Sequence, residues 1–282
     1  MADMLVGIRA RLTGAVGGAA AVWHAARMRR SYVVTGAGRG IGRAIAERLV
    51  EDGGAVVAVD ADEQALRWAA DRPQFLAAVP GDAAEEAVAE AAAEEAERFG
   101  ALGGWVNNAA VFRDADLHAT APARMTELIT ANLAPVVTGC AVAVRRFLRA
   151  GTGGAIVNVS SHQAQRPVPG AMAYASAKAA VEGLTRALAV DYGPHGVRAN
   201  ALALGSVATE RYTALLAGQE PGQALRTREQ MARLHPLGRV GEPEEVADAV
   251  AYLLGDRAGF ISGAVLPLDG GRSVRGHDPE EA

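Results

Sequence analysis

Short apolar runs alternate with longer stretches of helical period along most of this chain. Runs at 32–35, 55–59, 75–79, 105–110, 155–159, 197–204 and 264–268 read as buried strands, because a strand covered on both faces shows no polar alternation. Between them a helical period begins near Ile41 and near Glu63, and it covers 83–99, 122–149, the stretch from Tyr174 through Val181, Leu184 and Leu188, and 243–254. Residues 205–241 carry no such period and read as one long irregular stretch. Strands alternating with helices predict an α/β fold, a doubly wound parallel sheet of about seven strands flanked by helices in a single domain.

Composition narrows this picture. A chain of 282 residues that is 50% hydrophobic can bury one large core. A net charge of −4 with mixed signs offers neither a basic footprint for nucleic acid nor a polybasic membrane patch. The single cysteine, Cys140, allows no internal disulfide and suits a reducing cytoplasm. No unbroken apolar run of about 20 residues predicts a bilayer span. Residues 1–30, with Arg9, Arg11, Arg27, Arg29 and Arg30 around an Ala/Gly-rich middle, read as an appended arm before a domain at 31–282.

The candidate chemistry starts from a compositional oddity: Lys178 is the only lysine, every other strong cation being arginine. Arginine does not replace lysine where a compact, titratable ammonium is needed. Lys178 lies four residues after Tyr174 on a helix, so the two share a face. A phenol titrates near about 10, and a neighbouring ammonium is expected to lower that value toward working pH. The same spacing also fits a surface tyrosine beside a solvated lysine.

A second feature lies at the other end of the chain. The strand at 32–35 runs into Gly36-Ala37-Gly38-Arg39-Gly40-Ile41-Gly42 and then a helix, the arrangement that lets backbone and a helix N-terminus approach a pyrophosphate. The next strand ends in Asp60, placed to accept from an adenosine ribose and to repel a 2′-phosphate; this favours NAD over NADP, although Arg39 offers a partial counter-charge. Asp60 also fits as a helix cap, in competition with Asp62. Asp82, followed by Ala83, either reaches an adenine edge or caps a helix. Asparagine occurs five times, at 107, 108, 132, 158 and 200, and Asn132 sits mid-helix, where its poor helix propensity needs compensation. Ser160 and Ser161 end the fifth strand, at the sheet edge where open α/β sheets collect ligands. No second His or Cys at ligand spacing suggests a metal.

Taken in order, TGAGRGIG at 35–42, Asp60, NNAA at 107–110, Asn132, Ser160-Ser161, YASAK at 174–178 and VRANALALG at 197–205 resemble the short-chain dehydrogenase/reductase family, in its non-extended single-domain branch. The resemblance covers about residues 31–271 and implies a Rossmann-type fold and hydride transfer between a secondary alcohol or ketone and a nicotinamide cofactor. It implies Tyr174 as general acid/base, Lys178 as ribose ligand and partner of the phenol, Ser161 as donor to the substrate oxygen with Ser160 packed behind it, and Asn132 as holder of a relay water. The implied cofactor set is Gly36, Arg39, Gly40, Ile41, Gly42, Asp60, Asp82, Ala83, Asn108, Ala109, Tyr174, Lys178, Val207 and Thr209, with Asn107 bracing the sheet. It further implies a homotetramer built partly on the helices of Asn132 and Tyr174, and a substrate lid at 206–240 whose Tyr212, Leu215, Leu216, Met231 and Leu234 suit a partly apolar substrate.

Two positions depart from the family pattern. Leu204 stands where proline is usual, which is expected to loosen the chain after Gly205, and Ala110 stands where glycine is usual. Arg113, His162, Gln163 and Arg166 follow strands four and five and are candidates to face the pocket. Two competing readings remain: an NADPH-preferring reductase of 3-oxoacyl thioesters, and a dinucleotide-binding scaffold without turnover.

Overall fold

The computed structural model describes residues 30–276; the expected arm at 1–30 lies almost wholly outside them. Seven strands form one parallel sheet: β1 (Arg30–Thr35), β2 (Ala55–Asp60), β3 (Leu76–Pro80), β4 (Ala101–Asn107), β5 (Gly154–Ser161), β6 (Val197–Leu204) and β7 (Val265–Leu268). Their spatial order is β3-β2-β1-β4-β5-β6-β7. The chain therefore starts mid-sheet, winds outward to β3, and returns to lay β4 beside β1. Winding reverses between those two strands, and the carboxyl ends splay there to leave a crevice.

The helices are α1 (Gly40–Glu51), α2 (Glu86–Phe99), α3 (Pro122–Ala150), α4 (Met172–Tyr192), α5 (Glu210–Ala217), α6 (Pro221–Arg233) and α7 (Pro243–Leu254). On one face of the sheet α1 and α7 bury Ile45, Leu49, Val246 and Leu253 against Val34, Val56 and Val157. On the other, α2, α3 and α4 bury Ala92, Cys140, Phe147 and Val181 against Val33, Trp105 and Ile156. Covered on both sides, β2 is buried from Ala55 to Val59, which is why it reads as an unbroken apolar run. By length and composition α3 passes for a membrane-crossing helix; its buried stripe packs into the core, and Asn132 and Arg146 lie on it. Arg146 is held there by Glu90 and by Glu97 at 2.8 Å.

The structure corrects the expectation for 205–241. That stretch holds two helices, α5 and α6, and they escape a periodicity reading because only Leu216 of α5 and no residue of α6 is buried. A helix without a buried face has no apolar stripe to detect. The helix expected from residue 83 starts instead at Glu86, since Asp82 Oδ1 accepts the Ala84 N–H (2.9 Å) and holds a turn ahead of it. The segment at Glu63–Asp71 is a 3₁₀ helix capped by Asp62, not Asp60.

Candidate active site

One cleft of about 870 Å³ lies along the carboxyl ends of the strands, running from Asp60 and Asp82 to Met231 and Arg272. Every cofactor-binding candidate named from the sequence lines it, as do Ser160 and Ser161. Asn132 does not; it is buried behind the wall. Arg113 and Arg166 lie off the cleft, as do Leu216 and Leu234, whereas His162, Gln163, Tyr212, Leu215 and Met231 line it.

At the glycine turn the backbone itself makes the shape. Gly36 and Gly40 adopt φ of +65° and +51°, the left-handed region that glycine enters without strain. A Cβ on Gly42 would sit 2.1 Å from the Gly36 carbonyl oxygen, so turn and helix meet at a distance only glycine permits. Asn108 fixes the turn from beside it, its Nδ2 donating to the carbonyls of Thr35 (3.1 Å) and Gly36 (3.0 Å). Asp60 Oδ2 accepts the Gly38 N–H (2.9 Å) and Oδ1 accepts that of Asp62 (3.0 Å). The first turn of α1 has no acidic residue and no capping side chain of its own. Its Gly40 N–H is met instead by Glu210 Oε1 of α5, at 3.1 Å. Close backbone, a helix N-terminus and an acid at the end of β2 fit a dinucleotide.

The asparagines and serines position the rest. Asn107 accepts from Trp105 Nε1 (3.0 Å) and donates to Asn158 Oδ1 (2.8 Å), bracing β4 to β5. The compensation Asn132 required in mid-helix is a loop bond: its Oδ1 accepts the Val111 N–H at 2.9 Å. Ser160 donates to Glu182 Oε1 (3.1 Å), a buried carboxylate one turn past Lys178.

Tyr174 and Lys178 point into the same cleft, with Nζ 5.5 Å from the phenol ring centroid. The ammonium donates to the Val159 carbonyl (2.7 Å) rather than to the phenol. Burial governs both groups. It pushes the Tyr174 phenol up to about 12, against the smaller opposing effects of a Ser161 hydrogen bond and the Arg211 charge, and it pulls Lys178 down to about 8. The expected depression of the phenol by its lysine is therefore corrected: burial sets the direction, and the opposing effects come from Ser161 and Arg211.

Two features of the site have no local sequence signal, and a third concerns His162 and Gln163, already candidates from their place after β5. Phe112 stacks on Tyr174 with ring centroids 4.7 Å apart, and the Arg211 guanidinium lies 4.2 Å over Phe112, so α5 reaches the helix of Tyr174 through an aromatic ring. His235, buried far along the chain, accepts the Ser206 N–H on Nε2 (3.2 Å), while its Nδ1 lies 2.8 Å from the Met231 carbonyl. With the Gly205 N–H donating to Leu268 (3.0 Å), this pins the turn that the missing proline was expected to loosen. Finally, both ring nitrogens of buried His162 and Oε1 of Gln163 find no hydrogen-bond partner among the described residues. Among the described residues no group of three His, Cys, Asp or Glu is placed to hold a metal.

A family model described as enoyl-(acyl carrier protein) reductase matches residues 36–273. The chain is 38% identical over 247 residues to the short-chain reductase protein NovJ of Streptomyces niveus, covering 85% of this chain and 92% of the relative. It is 33% identical over 255 residues to levodione reductase of Leifsonia aquatica, covering 87% and 94%. A crystal structure of levodione reductase superposes with a TM-score of 0.79 at 31% identity, over 88% of this chain and 98% of the other. A gluconate 5-dehydrogenase from Burkholderia cenocepacia, solved with NADP and tartrate, superposes with a TM-score of 0.77 at 32% identity, over 88% and 96%.

Proposed function

This chain belongs to the short-chain dehydrogenase/reductase family, and from that premise we propose that it is an NAD-linked dehydrogenase/reductase of partly apolar secondary alcohols and ketones, with Tyr174 as its general acid/base. It is an oxidoreductase acting between alcohol and carbonyl, it binds a nicotinamide dinucleotide, and its substrate is a small molecule. The observation that carries the finer reading is the convergence of Ser161, Tyr174 and Lys178 on one cleft with the glycine turn.

When bound, the nicotinamide supplies the site that takes or gives hydride. The chain's own groups handle the proton. Tyr174 Oη exchanges it with the substrate oxygen, and Ser161 Oγ, hydrogen-bonded to the same phenol, orients that oxygen. Lys178 would hold the ribose and bring its positive charge to the phenol; Asn132, behind the wall, steadies the Val111 loop and would hold the relay water. Asn108 and Ala109 would lie along the cofactor, and Val207 and Thr209 would contact its carboxamide. Phe112, Tyr212, Leu215 and Met231 supply an apolar part of the cleft wall for the substrate.

Asp60 supports NAD over NADP, since its carboxylate stands where a 2′-phosphate has to fit. Exposed Val137 and Leu148 on α3 and Met172 and Val190 on α4 suit burial between subunits of a homotetramer. The buried Cys140 thiol, pushed up to about 12 by desolvation, fits an inert core residue in a cytoplasmic enzyme. The test is a panel of secondary alcohols and ketones assayed at the nicotinamide absorbance with each cofactor. Turnover with NAD at a kcat/KM at least about tenfold above NADP is expected; a preference for NADPH and thioester substrates overturns the cofactor and substrate assignments, and tight binding without turnover across the panel overturns catalysis.

A further inference from the structure

At the end of the cleft away from the glycine turn, the sheet brings three strand ends together. Ser161 of β5 pairs with Leu204 of β6, and Leu204 pairs with Leu268 of β7. The residues just beyond these ends therefore gather at one place: His162 and Gln163 after β5, Ser206 after β6, Asp269 and Arg272 after β7.

Arg272 is held there on purpose-built supports. Asp269 accepts the N–H groups of Gly271 (2.9 Å) and Ser273 (2.7 Å), shaping the turn that presents Arg272. Arg272 in turn donates to Ser206 Oγ at 2.9 Å. Among the described residues that is the single hydrogen bond of its side chain, and it has no ion pair there, so most of the five guanidinium N–H donors are uncommitted. It lines the cleft. His162 lines the same cleft, 6% exposed, with neither ring nitrogen partnered, and Gln163 Oε1 is likewise buried and unpartnered. Burial and the nearby Arg272 charge draw His162 down to about 4, so at neutral pH its imidazole is uncharged, with one donor and one acceptor to offer.

Groups left unsatisfied inside a cleft cost the empty fold and are compensated when a ligand with matching atoms arrives. A guanidinium with free donors and an imidazole N–H converge on an acceptor that carries charge. We propose that His162, Gln163 and Arg272 form a substrate subsite for a second oxygen group, a carboxylate, on the molecule whose carbinol reacts at Tyr174. Arg272 grips the carboxylate, His162 donates to it, and Gln163 accepts from a protonated neighbour or bridging water. This places substrates among hydroxy acids and their keto acids, and it rests on the reading of Ser161 and Tyr174 as the reacting end.

The test uses a ring alcohol with and without the acid, 4-hydroxycyclohexanecarboxylate against cyclohexanol, on the NAD-loaded enzyme. Wild type is expected to favour the acid by at least about tenfold in kcat/KM, mostly through KM, as charge-assisted contacts do. Arg272→Met and His162→Leu are each expected to shrink that ratio at least about fivefold. His162→Leu keeps the test sound if Arg272→Met folds poorly, because removing an imidazole without partners takes no hydrogen bond from the empty protein. A wild-type ratio near one, or a ratio unchanged in both variants, overturns the subsite. Binding is read separately, as the Tm rise given by cyclohexanecarboxylate, which lacks the reacting hydroxyl. A rise in wild type that disappears in Arg272→Met supports the subsite even if neither alcohol turns over, an outcome that counts against the proton roles instead; no rise in wild type overturns it.

Discussion

The two ends of the cleft are built on opposite principles. At the glycine turn, backbone atoms touch backbone atoms and the polar side chains are already spoken for: Asp60 by two N–H groups, Asn108 by two carbonyls, the helix N-terminus by Glu210. At the far end, side chains from β5, β6, β7, α5 and α6 supply the surface, and His162 and Gln163 keep unpartnered atoms. One end is set before a ligand comes; the other is completed by it. A shape made from backbone serves a ligand part that is always the same, and one made from side chains can be retuned without disturbing the sheet.

Tyr174 stands where the two ends meet, so its hydroxyl gives the largest expected effect. Tyr174→Phe should lower kcat by at least about a thousandfold, the scale of a lost general acid/base, while NAD affinity, measured by fluorescence, changes by less than about twofold. An equal loss in binding and turnover would show that the hydroxyl serves the cofactor end and not the reacting end.

The contrast sharpens with one substitution at the glycine turn and one in α6, off the cleft. Gly42→Ala drives a methyl into the Gly36 carbonyl and is expected to cost about 2–3 kcal/mol by overpacking, read by denaturant unfolding, with NAD binding lost alongside. Gly222→Ala in α6 meets nothing nearer than Arg226 Nη1 at 3.7 Å and should instead stabilise by up to about 1 kcal/mol through helix propensity. The same change with the same sign at both sites would erase the distinction between backbone-built and side-chain-built parts.

That distinction also explains what was legible in the sequence. Strands buried on both faces announce themselves as apolar runs, and a close backbone approach demands glycine, so the sheet, the turn and Asp60 are local signals. Tyr174 and Lys178 are one helical turn apart and equally local. The far end has no such signature. Arg272 reaches Ser206 across 66 residues of chain, and His235 reaches it across 29; only the β5-β6-β7 register brings them together. The helices α5 and α6 bury too little to show a period, and the Phe112 stack on Tyr174 joins a loop to a helix far from it in the chain. The direction of the Tyr174 shift was missed for a related reason: spacing places a charge beside the phenol but says nothing of how completely the pair is desolvated.

Lys178 provides the next smaller effect and turns on the same desolvation. Its folded pKa of about 8 lies below its ordinary 10.5, so the folded state carries a penalty for the charged form at pH below about 8, relieved as pH rises from 8 to 10.5. A shift of that size corresponds to roughly 3 kcal/mol, offset in part by the bond to the Val159 carbonyl, about 1–3 kcal/mol for a charged donor. Lys178→Met is therefore expected to be inactive yet about 1–2 kcal/mol more stable than wild type at pH 7, the gap closing by about pH 10.5. Tyr174, raised to about 12, destabilises both proteins alike above pH 10 and cancels from the difference. A variant less stable than wild type at pH 7 would mean that the ammonium is better solvated than its 1% exposure implies.

The smallest expected effect tests whether the two ends communicate. Glu210 belongs to α5, on the substrate side, yet its carboxylate takes the Gly40 N–H at the start of α1, where the fit to a dinucleotide puts a phosphate. Its neighbour Arg211 lies over Phe112, which lies on Tyr174. A pyrophosphate at this N-terminus would compete with the Glu210 carboxylate for the Gly40 N–H and be repelled by it. Glu210→Gln keeps the side chain's shape and an acceptor oxygen but removes the charge, worth about 0.3–1 kcal/mol at an exposed helix N-terminus. NAD affinity is expected to tighten about two- to fivefold at low salt, the gain fading toward 0.5 M salt as screening removes the repulsion. An affinity that weakens instead would mean that the carboxylate holds α5 in the binding-ready position, making the far end a support for the glycine turn rather than a competitor for it.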